Sequence, residues 1–145
     1  ILDMGLNPLN FADSLLVVLG QRLARRMCSE CKTTYHPSMD EFEELMTYYG
    51  EKYFAATGIE YNDDLMFYKA PGCDVCFNSG YKGRVGLHEV MASNVDIKNF
   101  IKTKGTTEQI RESAIASGMT TLQQDGVIKC FEGLTDLKDV RRVCL

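Results

Sequence analysis

Four of the six cysteines stand in two Cys-x-x-Cys pairs, Cys28/Cys31 and Cys73/Cys76, with 41 residues between the pairs. A two-residue spacer lets both sulfurs of a tight turn face one ion, and four thiolates make a closed tetrahedral shell with no place left for water. That is the chemistry of a structural zinc site. A thioredoxin-type redox pair instead needs one Cys-x-x-Cys at a helix start in a βαβ setting. An iron–sulfur cluster draws on the same four-cysteine inventory, but knuckle pairs this far apart favour zinc. Gly72 ahead of the second pair and Gly80 behind it suit a sharply bent backbone. Cys130 and Cys144 fall at helical positions and read as small core residues. His36 and His88 read as surface or strand-facing side chains rather than ligands.

Other chemistries find no support in the residues. The run Gly80-Tyr81-Lys82-Gly83-Arg84 lacks the spacing and the following helix of a Walker A phosphate loop, and no such motif stands anywhere in the chain. No Ser/His/Asp or Cys/His constellation rises above chance, and the acidic residues lack calcium-loop spacing. The 145 residues are 45% hydrophobic and 25% charged, as in an ordinary globular chain. The net charge of -4 weighs against a general nucleic-acid or anionic-membrane surface. The longest apolar run, Leu15 to Leu19, falls far short of the roughly 18 residues needed to cross a bilayer. The chain starts at Ile1 inside patterned sequence, so it reads as a piece of a longer protein.

The elements that must position the cysteines follow from periodicity. Leu9, Ala12, Leu16, Leu19, Leu23 and Met27 recur at three- and four-residue steps, which predicts one long helix ending in Arg22, Arg25 and Arg26, basic groups that complement its dipole. Ser38 caps a second helix with Phe42, Leu45, Met46 and Tyr49 on one face. From Asp40 to Asp64 there are eight acidic residues and one basic, so this stretch is expected to be a solvated surface insertion. Leu65–Tyr68 and Arg84–Val90 read as strands, the latter with Val85 and Leu87 on one face and Arg84 and His88 on the other. Helices then start at Asn94, at the Thr106-x-x-Gln109 capping box, at Thr120 and at Thr135-Asp136. Gly126 inside the third of these implies close packing against a neighbour.

Three stretches together, LDMGLNPLNFADSLLVVLGQRLARRMCSEC, APGCDVCFNSGYKGRVGLHEVM and GMTTLQQDGVIKCFEGLTDLKDV, resemble the C-terminal region of the type II secretion and type IV pilus assembly ATPases. Its specific part is the joint pattern of Q-R-L, two C-x-x-C pairs, G-Y-x-G-R-x-G-x-x-E and T-L-x-x-D-G. The resemblance implies an α+β, mostly α, part of a P-loop (RecA-like) hexameric motor that hydrolyses ATP with magnesium. It implies a cytoplasmic protein that sits at the inner membrane through platform and assembly proteins, without inserting in the membrane or binding nucleic acid. It places zinc on Cys28, Cys31, Cys73 and Cys76, and the end of the ATPase core at Gln21 and Arg22. Arg84, Gly86 and Glu89 match the G-R-x-G-x-x-E signature, with a structural or subunit-contact role. The family's Walker residues have no match here, so catalysis is expected of the parent and not of this chain.

The implied organisation is a leading helix at 1–27, a zinc lobe with its acidic insertion at 28–92, and a helical bundle at 93–145. Within that organisation little besides the metal would hold the two knuckles together, and stripping zinc would release residues 28–90 while the trailing helices persist. A zinc-dependent nucleic-acid module or a chaperone-like zinc binder is the alternative. The acidic balance weighs against the first, and the single imperfect copy of the chaperone repeat against the second.

Overall fold

The Leu15–Leu19 run followed by Gly20 decides the first element, and it decides for a strand. In the computed structural model, which describes Gly5 and residues 7–144, α1 (Pro8–Ser14) is one short helix and β1 runs over Val17–Met27. The long helix expected through Met27 is therefore corrected. Leu15, Val17, Leu19, Leu23 and Met27 also fit a period of two, and that pattern wins because Val17 and Val18 are β-branched and Gly20 is a poor helix residue. The first four residues of the expected leading segment, and Leu6, lie outside the described residues.

The remaining elements are β2 (Thr33–Tyr35), α2 (Met39–Tyr49), α3 (Glu51–Phe54), β3 (Phe67–Lys69), β4 (Tyr81–Ala92), α4 (Val95–Lys102), α5 (Thr107–Ala116), α6 (Leu122–Phe131) and α7 (Leu137–Val143). The fold is α+β with more helix than strand. Two small two-stranded sheets form, β1 with β4 and β2 with β3. Four of the expected caps are present: Ser38 and Glu41, and likewise Thr106 and Gln109, make reciprocal capping boxes, and Asn94 and Asp136 accept from the third helical amide, whereas the helix expected from Thr120 begins at Leu122.

The chain forms two compact units, each assembled from distant stretches. The first combines residues up to Gly20 with 89–121, the second 21–88 with 122–145. The helices after Asn94 are thus divided, α4 and α5 to the first unit, α6 and α7 to the second. In the first unit Ala12, Ile97, Ile101 and Ala114 make a small core. In the second, Ala24, Phe42, Leu45, Phe54, Phe67, Leu87, Val127, Cys130 and Val140 form a larger one.

The acidic stretch does more than cover surface, which corrects its reading as a solvated insertion. Its carboxylates Asp40, Glu43 and Glu44 face solvent, but Phe42, Leu45 and Phe54 are core residues. The Phe42 ring meets Phe54 at 5.6 Å and Phe131 at 6.4 Å, and Phe67 meets Phe131 edge-on at 5.3 Å. Edge-to-face aromatic packing of this kind adds to the area term. Gly126 on α6 is explained in the same unit, because a Cβ there would come within 2.5 Å of Val140 and 3.3 Å of Leu87.

Candidate metal centre

The two Cys-x-x-Cys pairs sit at the ends of segments that the backbone brings together without help from the cysteines. β1 ends at Met27, just before the first pair, and β3 ends four residues before the second. Between the pairs, β2 and β3 are antiparallel with Thr33 opposite Lys69, Thr34 opposite Tyr68 and Tyr35 opposite Phe67. The Cys28 amide donates to the Gly80 carbonyl at 2.9 Å, which ties the first knuckle to the exit of the second.

Each knuckle turns tightly. Lys32 N–H donates to Cys28 O at 3.0 Å, and Cys76 N–H and Asn78 N–H donate to Cys73 O at 3.2 and 2.9 Å. The second turn needs left-handed backbone at Gly72 (φ 110°), Phe77 (52°), Asn78 (57°) and Gly80 (76°). A Cβ at Gly72 would lie 2.7 Å from the Asn78 carbonyl oxygen, and one at Gly80 would collide with Ala70 O. Both glycines therefore do what the sequence suggested.

The four sulfurs lie within 4.8 Å of one another. Cys28 Sγ is 4.0 Å from Cys73 Sγ, Cys31 Sγ is 3.9 Å from Cys76 Sγ, and Cys73 and Cys76 are 3.8 Å apart. Four thiolates at about 2.3 Å from one tetrahedral ion would be about 3.8 Å from each other, so the donor set fits such an ion. Backbone amides point at the sulfurs as well. Cys73 N–H and Gly80 N–H donate to Cys76 Sγ at 3.2 and 3.3 Å. Burial disfavours ionising Cys76, but these two amides, with the Cys73 and Cys31 thiols, outweigh it and lower its pKa. Cys31 goes the other way: burial raises it against the amide of Gly72, and the other three thiols add to the rise. Four thiols this close cannot all ionise without a cation between them.

The other residues singled out in the sequence do not join this cluster. Gln21 and Gly86 are neighbours, since a Cβ at Gly86 would be 3.3 Å from Gln21 Nε2 and 2.7 Å from the His88 ring. Gly86 is thus a space requirement on β4. Arg22 is exposed, with its guanidinium 3.4 Å from the Gln21 carbonyl. Arg84 is exposed on β4, and half-buried Glu89 packs beside Gly20 in the first unit.

One network escaped the sequence reading. Arg25, assigned to a helix dipole, lies on a strand, and its side chain donates to Asp139 at 2.7 Å while its amide also donates to that carboxylate. Arg142 adds two bonds at 2.8 and 3.0 Å. The Arg25 guanidinium stacks 4.0 Å from the Tyr81 ring centroid, and Tyr81 donates to Asp136. Asp139 is fully buried. Burial alone would raise its pKa, but the Arg142 bonds, the Arg25 amide and the Arg25 guanidinium bring it down to about 2. The only sequence signal was an acid–base–base grouping at 139–142, which any exposed helix could show.

A four-cysteine lobe built on a short ladder, inside an α+β chain, has the donor set and spacing of a module that could hold a metal ion. Comparison with known proteins then gives the family. The type II/IV secretion system protein family matches residues 1–142. The chain is 34% identical over 138 residues, 95% of its length, to the type IV pilus assembly ATPase PilB of Thermus thermophilus, covering 14% of that protein. It is 34% identical over 143 residues to the type IV pilus assembly ATPase PilB of Pseudomonas aeruginosa, 99% of this chain and 23% of that one. It is 33% identical over 141 residues to the type II secretion system ATPase E of Vibrio cholerae, 97% and 25% respectively. The chain belongs to the type II/IV secretion system protein family, and it spans a quarter or less of these relatives' length.

Proposed function

We propose that this chain is a C-terminal portion of a cytoplasmic hexameric ATPase that powers type IV pilus assembly or type II secretion. Its part is a structural zinc element with supporting helices, and the catalytic centre lies elsewhere in the full-length protein. The observation that carries this reading is the closure of four sulfurs at tetrahedral spacing in a chain related over its whole length to such ATPases.

When bound, zinc supplies a redox-inert cross-link between the knuckles. Cys28, Cys31, Cys73 and Cys76 hold it, Gly72 and Gly80 allow the bends, and the Cys73 and Gly80 amides soften the charge on Cys76. ATP and magnesium belong to the parent's P-loop core, because nothing in these residues can cradle phosphates. Gln21, Arg22, Arg84, Gly86 and Glu89 serve structure or subunit contact. Among the described residues no helix is long and apolar enough to cross a membrane, which suits attachment to the inner membrane through platform and assembly proteins.

Elemental analysis of the purified full-length protein tests the metal. One zinc per chain is expected, sharply reduced by Cys31→Ser and unchanged by Cys130→Ser. Iron, or folded protein without metal, would overturn the assignment. In the full-length protein Cys31→Ser should impair assembly or coupling more than nucleotide binding.

A further inference from the structure

The first cysteine pair is bracketed by a segment far downstream. Immediately before Cys28, the Met27 amide donates to the Leu134 carbonyl at 2.9 Å, and immediately after Cys31, Lys32 Nζ donates to the Gly133 carbonyl at 3.0 Å. The Thr135 hydroxyl continues the series, donating to the Arg25 carbonyl at 2.9 Å, and the Asp139 carboxylate takes the Arg25 amide and guanidinium. Partners step back through 32, 27 and 25 as the segment advances through 133, 134 and 135. None of these bonds involves a sulfur.

The same segment reaches the second knuckle. Tyr81 donates to Asp136, and its neighbour Gly80 accepts the Cys28 amide at 2.9 Å. The Tyr68 ring on β3 lies against Gly133, where a Cβ would come within 2.5 Å of it, and Lys32 Nζ stands 4.9 Å from the centre of that ring. Thr135 and Asp139 are fully buried. A buried hydroxyl or carboxylate is costly to leave unpaired, so these bonds hold their partners firmly in place.

A tetrahedral ion needs four sulfurs converging at once. The local turn fixes the sulfurs within one knuckle but not how the two knuckles face each other. The β2–β3 ladder ties the chain after Cys31 to the chain before Cys73. The approach to Cys28 along β1 is held instead by Leu134, Thr135 and Asp139, together with the Gly80 bond. Outer bonds that orient metal ligands raise affinity, because less order has to be created on binding. We propose that Gly133–Asp139 is a positioning element for the metal centre, holding the first knuckle in the orientation in which Cys28 and Cys31 meet Cys73 and Cys76. The junction of α6 and α7 thereby sets how tightly the metal is held. This rests on the reading of the four cysteines as a metal site.

The test uses metal-free, reduced full-length protein and cobalt(II) as the probe, whose absorption reports tetrahedral sulfur ligation. Affinity is read by competition with a chelator. Lys32→Met combined with Thr135→Val removes two ties while keeping most of both side chains' bulk, and cobalt affinity should fall about ten-fold or more. Val127→Ala weakens the same core but takes part in none of these bonds, and should bind within about two-fold of wild type. Equal affinity in wild type and the double variant would overturn the proposal. So would an equal loss in Val127→Ala, because the effect would then be one of general stability. Should the double variant fail to fold, Lys32→Met alone alters a half-buried side chain and should lose about three-fold, with no loss again overturning the proposal. Wild-type protein that takes up no cobalt would sink the metal reading itself, whereas uptake indifferent to the ties sinks this proposal alone.

Discussion

The two compact units close their apolar surface in different ways. The second folds the aromatic rings of α2, α3, β3 and α6 onto Leu87, Val127 and Val140, and anchors α7 to β1 through the buried Asp139. Among the described residues the first buries Ala12, Ile97, Ile101 and Ala114 in its core, and leaves Leu16–Leu19 in the open. Apolar content is therefore a poor guide to where a core lies. The apolar run at 15–19 is the densest in the sequence, yet four of its five residues, Leu16–Leu19, are exposed, while the most acidic stretch holds three of the buried core residues.

That contrast can be broken by truncation. Phe42→Ala removes a ring that three others pack against, and should destabilise the second unit by about 3–5 kcal/mol. Leu19→Ala in the same 145-residue chain removes a side chain already more than half in water, and should cost less than about 0.5 kcal/mol. Denaturant unfolding of both variants is the measurement. Comparable losses would mean that the run at 15–19 is already packed within this chain.

Reading the sequence succeeded where a local rule had one answer and failed where two rules fitted. The caps at Ser38, Asn94, Thr106 and Asp136 depend on neighbours three residues away, and all are present. The cysteine pairs were legible because a two-residue spacer has few uses, and the glycine requirements at 72, 80 and 126 followed from bends and close packing. The residues from Leu9 to Met27 satisfied periods of both 3.6 and two, and the β-branched Val17 and Val18, Gly20 and the pairing with β4 together select the strand. The charge run at 40–64 hid a helix face because counting charges ignores where they point. Arg25 and Asp139 are 114 residues apart, so no local pattern could join them.

The Asp139 network sharpens the comparison, since the ion pair between Lys102 and Asp13 in the first unit sits on an exposed carboxylate. Asp139 has its pKa lowered from 3.8 to about 2 in the folded chain. A depressed carboxylate stabilises the fold fully above its unfolded pKa and loses that contribution as pH falls through the folded one. The window here is about pH 4 down to about pH 2, and the amount is about 2 kcal/mol. Asp139→Asn should therefore lower stability by about that much at neutral pH, and the gap to the wild type should close in acid. Both proteins are best compared after metal removal, because thiolate protonation also releases metal. A gap that stays constant with pH would show that Asp139 acts through packing and not through its charge.

The smallest change to the fold should come from removing the metal. If metal alone joined the knuckles, chelation would free everything from residue 28 to 90. The structure supplies two other ties: the β2–β3 ladder, which pairs Thr33–Tyr35 with Phe67–Lys69, and the aromatic cluster that seats Phe42, Phe54 and Phe67 against Phe131. Lys32 also reaches across to the Gly133 carbonyl at 3.0 Å, at the end of α6. Chelation under reducing conditions should then loosen the knuckles alone. Amide exchange should speed up at Cys28, Lys32, Cys76, Phe77, Asn78 and Ser79, where the tight turns and left-handed residues lie against the sulfur cluster. Exchange in β2, β3, α2 and α6 should change little. Equal loss of protection in the ladder and in the knuckles would mean that the metal carries the lobe after all, as its binding energy does in the smallest zinc domains.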